Sequence, residues 1–224
     1  MDKRIIPHKV LVSGATGLVG SKVVELLENE ISVSKIIVVG RTIPEFKSSK
    51  IEFHLFDFQD YSKIGNLFNG VYAVFCCVGT TIKKAGNIDN FRKVDFDIPV
   101  ECARLCEKAN VNSFIVLSSL GANSKSSNYY FQTKGEMEEY VSSFKIHKKA
   151  FFRPSILLGP RAEPRPLESI TKNILHIFSF LMVGVFRKFR PIPRLIVAKA
   201  MVRVAYSSNN MKVYENEEIR WIGR

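Results

Sequence analysis

A glycine-rich turn near the N-terminus constrains the fold of this chain more than any other feature. The apolar run Lys9–Ser13 predicts a β-strand, and the amphipathic segment Leu18–Glu30 predicts a helix that follows it almost at once. Each glycine of the turn has its own physical role. Gly14 permits the tight turn, Gly17 lets a pyrophosphate approach the backbone, and Gly20 lets the helix pack closely on the sheet. Free N–H groups at the start of the helix would bind the phosphates. The turn therefore predicts a dinucleotide site of the Rossmann type.

Short apolar runs rich in β-branched residues alternate with amphipathic helical stretches up to Arg153. Such runs are typical of strands that are covered by helices on both faces. The pattern predicts an α/β fold with a doubly wound parallel sheet. The predicted strands are Lys9–Ser13, Lys35–Val39, Ile51–Phe56, Ala73–Cys77, Ser113–Leu117 and Ala150–Arg153, and the later helices are Asn90–Ala109 and one that begins near Tyr130 and continues through Glu136–Phe144.

The chain changes character after Arg153-Pro154. Six of its nine prolines lie between Pro154 and Pro193, so the alternation of strand and helix ends there. Two apolar helices are predicted beyond this point, Ile170–Phe186 and Arg194–Tyr206, and no linker separates them from the preceding residues. We therefore predict a single domain over residues 1–224, with a core over about residues 1–155 and a small C-terminal helical cap over about residues 156–224.

The four cysteines do not predict a metal site. Cys102 and Cys106 share a helix face, but no histidine or second cysteine pair completes a set of ligands. Cys76 and Cys77 would leave a strand on opposite faces. We predict buried thiols in a reducing compartment and no bound metal.

The sequence predicts neither secretion nor a membrane span. The segment before the first strand is short, charged and broken by Pro7. The longest nearly uncharged apolar run, Ile174–Phe186, has 13 residues, whereas a helix that spans a bilayer needs about 20. We therefore expect a cytoplasmic protein.

The chain carries a formal charge of +12, and nearly all of it lies in one segment. Between Lys145 and Val204 there are 13 Lys and Arg residues but only two acidic ones, Glu163 and Glu168. Such a segment suits an anionic cofactor or substrate, an acidic membrane surface, nucleic acid, or simply a solvated face. Its aromatic residues have the spacing of a helix core, which argues against nucleic acid. Val185–Arg190 has the composition of an interfacial membrane anchor, although its apolar residues fit equally well in the cap.

Residues after the second, third and fourth strands favour particular contacts with the cofactor. Arg41 stands where an acidic residue would bind the ribose 2′-hydroxyl of NAD. An arginine there can pair with a 2′-phosphate or stack on adenine, which favours NADP(H) over NAD(H). Asp57-Phe58 is placed to bracket the adenine, because a carboxylate accepts from its amino group. Val78-Gly79-Thr80 would line the nicotinamide side.

A tyrosine and a lysine one helical turn apart form the candidate catalytic pair. Tyr130 and Lys134 share one face of the predicted helix. The pKa of a free phenol is about 10, and a neighbouring ammonium favours the phenolate, so the pair suits general acid/base chemistry. Lys134 would also bind the nicotinamide ribose, whereas Tyr129 would point elsewhere. Ser119 at the end of the fifth strand, with Ser118 as the alternative, would hold a substrate oxygen.

Together with these motifs, longer stretches of the sequence resemble a known protein family. The glycine turn, Gly40-Arg41 and Tyr130-x-x-x-Lys134 resemble an atypical short-chain dehydrogenase/reductase. More narrowly, the chain resembles the Tat-interactive protein family over nearly its whole length. The strings that carry this resemblance are Cys76-Cys77-Val78-Gly79-Thr80-Thr81, Lys84-Ala85-Gly86, Val94-Asp95, Leu117-Ser118-Ser119-Leu120-Gly121-Ala122, Ser126-Ser127-Asn128, Gln132-Thr133-Lys134-Gly135-Glu136, Phe152-Arg153-Pro154, Leu157-Leu158 and Arg165-Pro166.

The resemblance implies an NADPH-binding Rossmann fold with a short C-terminal cap. The chain departs from the family at Thr42, where relatives can carry a second arginine, and at Leu120, which leaves the serine role to Ser119. The cofactor contacts that the resemblance implies are Thr16, Gly17, Leu18, Val19, Arg41, Asp57, Val78, Gly79, Tyr130, Lys134, Leu157 and Arg165.

The residues and the resemblance together favour an NADP(H)-dependent oxidoreductase that acts on a carbonyl or alcohol substrate. Tyr130 would act as general acid/base, Lys134 would tune it, and Ser119 would orient the substrate oxygen. The alternative is a binding protein that senses NADPH and regulates a partner with little or no turnover, because the family includes members described chiefly as regulators. Rossmann proteins of this type often pair through helices, so a homodimer is one option for this chain.

Overall fold

Seven parallel strands form the central sheet of the computed structural model, which describes residues 8–43, 48–159, 184–208 and 212–224. The strands in chain order are β1 (His8–Ser13), β2 (Val33–Gly40), β3 (Ile51–Leu55), β4 (Val71–Cys76), β5 (Ser113–Leu117), β6 (Lys148–Arg153), β7 (Leu157–Leu158), β8 (Ile192–Pro193) and β9 (Val213–Glu215). The order across the main sheet is β3-β2-β1-β4-β5-β6-β9, and β7 and β8 form a separate short parallel pair. This topology confirms the predicted doubly wound sheet.

Helices cover both faces of the sheet. Those on one face are α1 (Leu18–Glu28), α6 (Arg194–Tyr206) and α7 (Asn216–Gly223), with α6 packed between the other two. The opposite face carries α4 (Ile98–Lys108) and α5 (Tyr129–Ser143). Shorter segments are α2 (Ile82–Ala85), α3 (Ile88–Arg92), a π-helical turn at Lys93–Asp97, and 3₁₀ turns at Tyr61–Lys63, Gly65–Phe68 and Gly184–Phe189.

The two helical layers explain why the strands are apolar throughout. Along β1, Val10 and Val12 face the core beneath α1, whereas Leu11 faces the core beneath α4, and all three are buried. A strand buried on both faces has no polar position, so its sequence is a continuous apolar run. Cys76 and Cys77 divide between the two cores in the same way. The four cysteines are free and buried, as predicted.

The C-terminal segment adds more to the fold than a helical cap. The predicted helix Arg194–Tyr206 is present with those bounds as α6, and β9 extends the main sheet by pairing in parallel with β6. The other predicted helix of this segment, Ile170–Phe186, lies mostly outside the described residues, and its last residues belong to the 3₁₀ turn Gly184–Phe189. The segment therefore completes both the sheet edge and the layer of helices on the α1 face.

Gly135 is the position where α5 lies closest to a neighbouring loop. A Cβ at Gly135 would lie 2.1 Å from the backbone nitrogen of Ser124 and 2.2 Å from the carbonyl carbon of Asn123. Backbone atoms cannot move aside as a flexible side chain can. Only glycine therefore lets α5 seat at this depth.

We expect Gly135→Ala to lower the free energy of unfolding by about 1–3 kcal/mol, the usual cost of overpacking. Alanine is the better helix former by about 0.8–1 kcal/mol, so any loss must come from the clash. Urea denaturation measures the change. Gly65→Ala is the control, because its Cβ would meet nothing closer than Leu105 Cδ2 at 3.7 Å. Equal stability of Gly135→Ala and the wild type would contradict this packing.

Candidate active site

The turn after β1 is shaped by close backbone contacts. Gly14 has a φ of +78°, and a Cβ there would lie 2.6 Å from the carbonyl carbon of Cys77. A Cβ on Gly20 would lie 2.2 Å from the carbonyl oxygen of Gly14, so α1 packs directly on the turn. Gly17 is the N-cap of α1, and no side chain caps this helix end. Exposed Thr16 and half-buried Leu18 flank it, while Val19 is buried. These features fit the pyrophosphate of a dinucleotide, because the helix N-terminus is open to an anion.

The predicted adenine contacts lie together at the ends of β2 and β3. A hydrogen bond from Phe56 N–H to the Gly40 carbonyl, 2.9 Å long, joins these two strand ends. Arg41 and Asp57 are both exposed there. Phe58 has a φ of +64°, which is uncommon for a residue with a side chain, and its ring packs 5.1 Å from that of Phe56. The ends of β2 and β3 thus place a guanidinium, a carboxylate and an aromatic ring where the adenine end of the cofactor is predicted to bind.

The predicted nicotinamide segment follows β4 and lies between the glycine turn and a buried carboxylate. The N–H of Cys77 donates to the Ser13 carbonyl at 2.9 Å, and the N–H of Thr80 donates to Asp95 Oδ2 at 2.8 Å. Val78 is buried, and a Cβ on Gly79 would lie 3.5 Å from Asp95 Oδ1. Asp95 therefore holds the segment at one end, and the glycine turn holds it at the other.

Lys134 is buried, and its ammonium is paired with the same carboxylate. Lys134 Nζ lies 2.8 Å from Asp95 Oδ1 and donates to the Leu117 carbonyl at 3.3 Å. The two side chains are only 3% and 1% exposed. Desolvation lowers the pKa of Lys134, but attraction to Asp95 and then to Tyr130 outweighs it, so the pKa is raised above its ordinary value. The lysine therefore stays charged at neutral pH.

Tyr130 lies one helical turn before Lys134 and is half-buried. Its ring packs at 5.5 Å from both Phe91 and Phe131. Asn128 caps α5 by accepting the N–H of Tyr130 at 3.0 Å, which sets where the helix begins. The tyrosine thus stands at the first turn of α5, with its ring held by aromatic neighbours.

The two candidate serines have different surroundings. The Ser118 hydroxyl is buried and donates to Glu138, whose carboxylate also accepts from Arg153 Nε at 3.0 Å and Nη2 at 2.6 Å. The Ser119 hydroxyl is half-buried and has one weak contact, 3.3 Å to the Leu120 carbonyl. Ser118 is therefore committed to an internal network, and Ser119 is the serine with a hydroxyl available to a substrate.

Two further predicted contacts lie beyond β6. Leu157 is half-buried on β7, opposite Ile192 of β8. Arg165 lies outside the described residues. No group of cysteine, histidine, aspartate or glutamate side chains in the described ranges could hold a metal ion.

Asp95 has a central position in the site that sequence reasoning missed. The predicted helix Asn90–Ala109 is interrupted there: the N–H of Ile98 donates to the Lys93 carbonyl, five residues back. The cause is Pro99, which has no N–H for the carbonyl of Asp95 and whose ring would clash with it in a regular α-helix. Such π-helical turns often occur at functional sites. A proline inside a predicted helix, four residues after a buried carboxylate, is the signal that could have indicated this role.

The arrangement defines a Rossmann protein with a dinucleotide site. A model of the NAD(P)H-binding family matches residues 14–157, more than half of the chain, so the chain belongs to this family. Within it, the chain is similar to protein HTATIP2 of Rattus norvegicus, with 31% identity over 228 residues that cover 100% of this chain and 92% of the relative. It is also similar to protein FMP52-1, mitochondrial, of Scheffersomyces stipitis, with 35% identity over 158 residues and 70% of each chain covered. The predicted resemblance to the Tat-interactive protein family is confirmed.

Two solved structures that share the fold are enzymes, and one of them was solved with NAD+. WbmH of Bordetella bronchiseptica, solved in complex with NAD+, superposes with a TM-score of 0.72 and 16% identity, covering 93% of this chain and 75% of that one. The ADP-L-glycero-D-manno-heptose-6-epimerase of Helicobacter pylori gives a TM-score of 0.70 and 16% identity, covering 98% and 82%. At this level of identity the likeness shows the fold alone.

The expectation of a cytoplasmic protein is wrong on this comparison. FMP52 relatives from Scheffersomyces stipitis and Candida albicans are named mitochondrial. The prediction rests on the lack of a recognisable signal and of an apolar run long enough to span a bilayer, and neither observation excludes a mitochondrial location. None of the helices in the described ranges is long and apolar enough to cross a membrane.

We expect Asp95→Asn to destabilise the protein by about 3–5 kcal/mol at neutral pH, the usual cost of removing one partner of a buried ion pair. Asparagine keeps an acceptor for the Thr80 N–H, so the variant removes mainly the charge. Because the folded-state pKa of Lys134 is raised, this stability is fully present below the ordinary lysine pKa of 10.5 and is lost as the pH rises through the raised value.

Chemical denaturation of Asp95→Asn at neutral and alkaline pH measures this effect. Asp97→Asn is the matched control, since Asp97 is exposed on the same helical run and its side chain caps no N–H. A loss for Asp95→Asn no larger than the loss for Asp97→Asn would contradict the role of the pair.

Proposed function

We propose that this protein is an NADP(H)-dependent oxidoreductase of the atypical short-chain dehydrogenase type that interconverts a carbonyl and an alcohol. The observation that carries the proposal is the placement of Lys134. Its ammonium is held between Asp95 and the carbonyl of Leu117, one helical turn from Tyr130. A buried lysine that is charged at neutral pH, one helical turn from a tyrosine, is suited to assist proton transfer. Asp95 connects this lysine to the segment predicted to line the nicotinamide, because its carboxylate also accepts from the Thr80 N–H.

Each residue of the site has a separate role in the proposed reaction. The hydroxyl of Ser119 would orient the substrate oxygen, and the Tyr130 hydroxyl would donate a proton to it. The carbonyl carbon would accept the hydride that NADPH supplies when bound, so the carbonyl is reduced and the cofactor oxidised. The Lys134 ammonium would stabilise the phenolate that Tyr130 leaves behind. Alcohol oxidation runs through the same groups in reverse.

We propose that Tyr130 contributes about 10²–10⁴-fold to turnover, the usual range for a general acid. With the carbonyl compound that the wild type reduces fastest, Tyr130→Phe should lose at least about 100-fold in kcat. Its Kd for NADPH should rise by at most about tenfold, the largest usual cost of one lost neutral hydrogen bond, because the resemblance places Tyr130 among the cofactor contacts.

The matched control is Tyr129→Phe, which makes the same change one residue earlier in α5 and should keep full turnover. Turnover of Tyr130→Phe within a few-fold of the wild type would contradict the acid/base role. Tight NADPH binding by the wild type without consumption of any carbonyl compound would favour the alternative of an NADPH-sensing regulator.

Arg41 supports the preference for NADP(H). It is exposed at the end of β2, beside the loop that carries Asp57, and no acidic residue occupies the position that would bind a free ribose 2′-hydroxyl. A guanidinium pairs with a phosphate through two parallel hydrogen bonds. The solved structures of WbmG and WbmH, which share the fold, hold NAD, so the preference depends on this residue in this chain.

Arg41→Ala should weaken NADPH binding by at least about tenfold, because a hydrogen bond to a charged group contributes about 1.5–3 kcal/mol. NADH lacks the 2′-phosphate and serves as the internal control, with an expected change of less than about twofold. Titration of both cofactors by calorimetry measures the two constants. An equal loss for NADPH and NADH would contradict a 2′-phosphate contact.

A further inference from the structure

A second concave site lies on the side of the molecule formed by α7 and the turn before β8. It is a cavity of about 180 Å³ lined by Arg187, Arg190, Glu217, Arg220, Trp221 and Arg224. The helix α7 directly follows the edge strand β9, and three strands separate β9 from β1, which carries the glycine turn. The cavity is therefore separate from the cofactor turn.

The lining of this cavity has an excess of positive charge. Four guanidinium groups face one carboxylate, and Arg187 is the arginine that pairs with it, with its Nε 3.6 Å from Glu217 Oε1. In the described part of the chain, Arg190, Arg220 and Arg224 form no ion pair with an acidic side chain. Burial, and then repulsion from Arg190 and Arg224, lowers the pKa of Arg220. The like charges are held close together, and attraction to Glu217 offsets only part of their repulsion.

Two of these arginines also have unused hydrogen-bond donors. The Nε atoms of Arg190 and Arg220 are buried, and neither has an acceptor in the described structure. A buried donor without a partner costs about 1–3 kcal/mol, so a ligand that supplies an acceptor would recover this free energy.

The backbone beneath the arginines is fixed before any ligand binds. The Arg190 carbonyl accepts hydrogen bonds from Arg220 Nη2 at 3.1 Å, from Asn216 Nδ2 at 2.9 Å and from the Ser155 hydroxyl. Arg220 Nη2 also donates to the Pro191 carbonyl. A preorganised group of donors loses less entropy on binding than one that must be ordered.

We propose that Arg190, Arg220 and Arg224 bind a phosphate group in this cavity, next to Trp221. Guanidinium forks match the geometry of phosphate oxygens, and a lining of four arginines with one carboxylate suits a group with one or two negative charges. The cavity is smaller than the about 300–1,000 Å³ of sites that enclose a whole ligand. The cavity therefore holds only the phosphate group of its ligand. The rest of the ligand would lie outside the cavity, against the indole of Trp221, which is 79% exposed.

The single tryptophan of the chain makes the proposal directly testable, because Trp221 reports on this cavity and on no other site. The experiment is a titration of the full chain with inorganic phosphate, followed by tryptophan emission and by calorimetry, against sodium chloride of equal ionic strength. A second arm uses phosphatidylcholine vesicles with and without phosphatidic acid. The arms distinguish a soluble phosphate from a lipid headgroup, which share the same chemistry.

The test variant is the double substitution Arg190→Gln with Arg224→Gln. It spares Arg220, which also binds backbone carbonyls, and the Arg190 carbonyl stays in place because only the side chain changes. We expect saturable binding by the wild type and a Kd raised at least about tenfold in the double variant, in line with the loss of charged hydrogen bonds. Arg104→Gln is the control: Arg104 lies on α4, on the opposite face, where it pairs with Glu101 at 2.7 Å.

Saturable binding of inorganic phosphate that the double variant weakens supports a soluble ligand. A response only to vesicles that contain phosphatidic acid, again weakened in the double variant, supports a lipid headgroup. The proposal is overturned if neither probe exceeds the chloride or phosphatidylcholine control in emission and heat. It is also overturned if the double variant binds as tightly as the wild type and Arg104→Gln do.

Discussion

The buried pair of Lys134 and Asp95 is the interaction on which the candidate active site depends. Moving either charge out of water is costly, and attraction at 2.8 Å offsets that cost only while both partners are present. The pair joins α5 to the π-helical turn before α4, and Asp95 extends the connection to the loop after β4 through the Thr80 N–H. One carboxylate thus positions the lysine beside Tyr130 and also the backbone predicted to line the nicotinamide. A change that breaks this ion pair would therefore disturb both the chemistry of the site and the packing of α5.

The fold was predictable because its signals are local and mutually consistent. The bounds of β5 and α6 agree with the prediction, and the other predicted strands differ by only a few residues at their ends, whereas β9 was not predicted. The glycine turn was predictable for the same reason, since a strand, three glycines and a helix follow one another in the sequence. The role of Asp95 was not, because it depends on Pro99 distorting a helix and on Lys134, which is distant in sequence. The hydrogen bonds of Ser118 and Arg153 to Glu138 likewise join the ends of β5 and β6 to the middle of α5, which only the tertiary fold brings together.

The basic segment between Lys145 and Val204 proves to combine several roles. Part of its charge is structural: Lys148 Nζ donates to the Val204 carbonyl at 3.0 Å, and Lys149 Nζ donates to the Ser142 carbonyl at 2.8 Å. Burial lowers the pKa of Lys148 from its ordinary value. Other members, Arg187 and Arg190, line the cavity at α7. A count of charges along the sequence could not separate a lysine that ties α6 to β6 from an arginine that faces solvent.

Isotope transfer decides whether the site performs hydride and proton transfer. NADPH that carries deuterium at the transferable C4 position is incubated with the protein and a panel of aldehydes and ketones, and the alcohols are analysed by mass spectrometry. We expect deuterium on the alcohol carbon of at least one compound, with NADP+ formed in equal amount. Stoichiometric NADPH binding, with no deuterium in any alcohol and no NADP+ formed, would contradict the proposed chemistry of Tyr130 and Lys134.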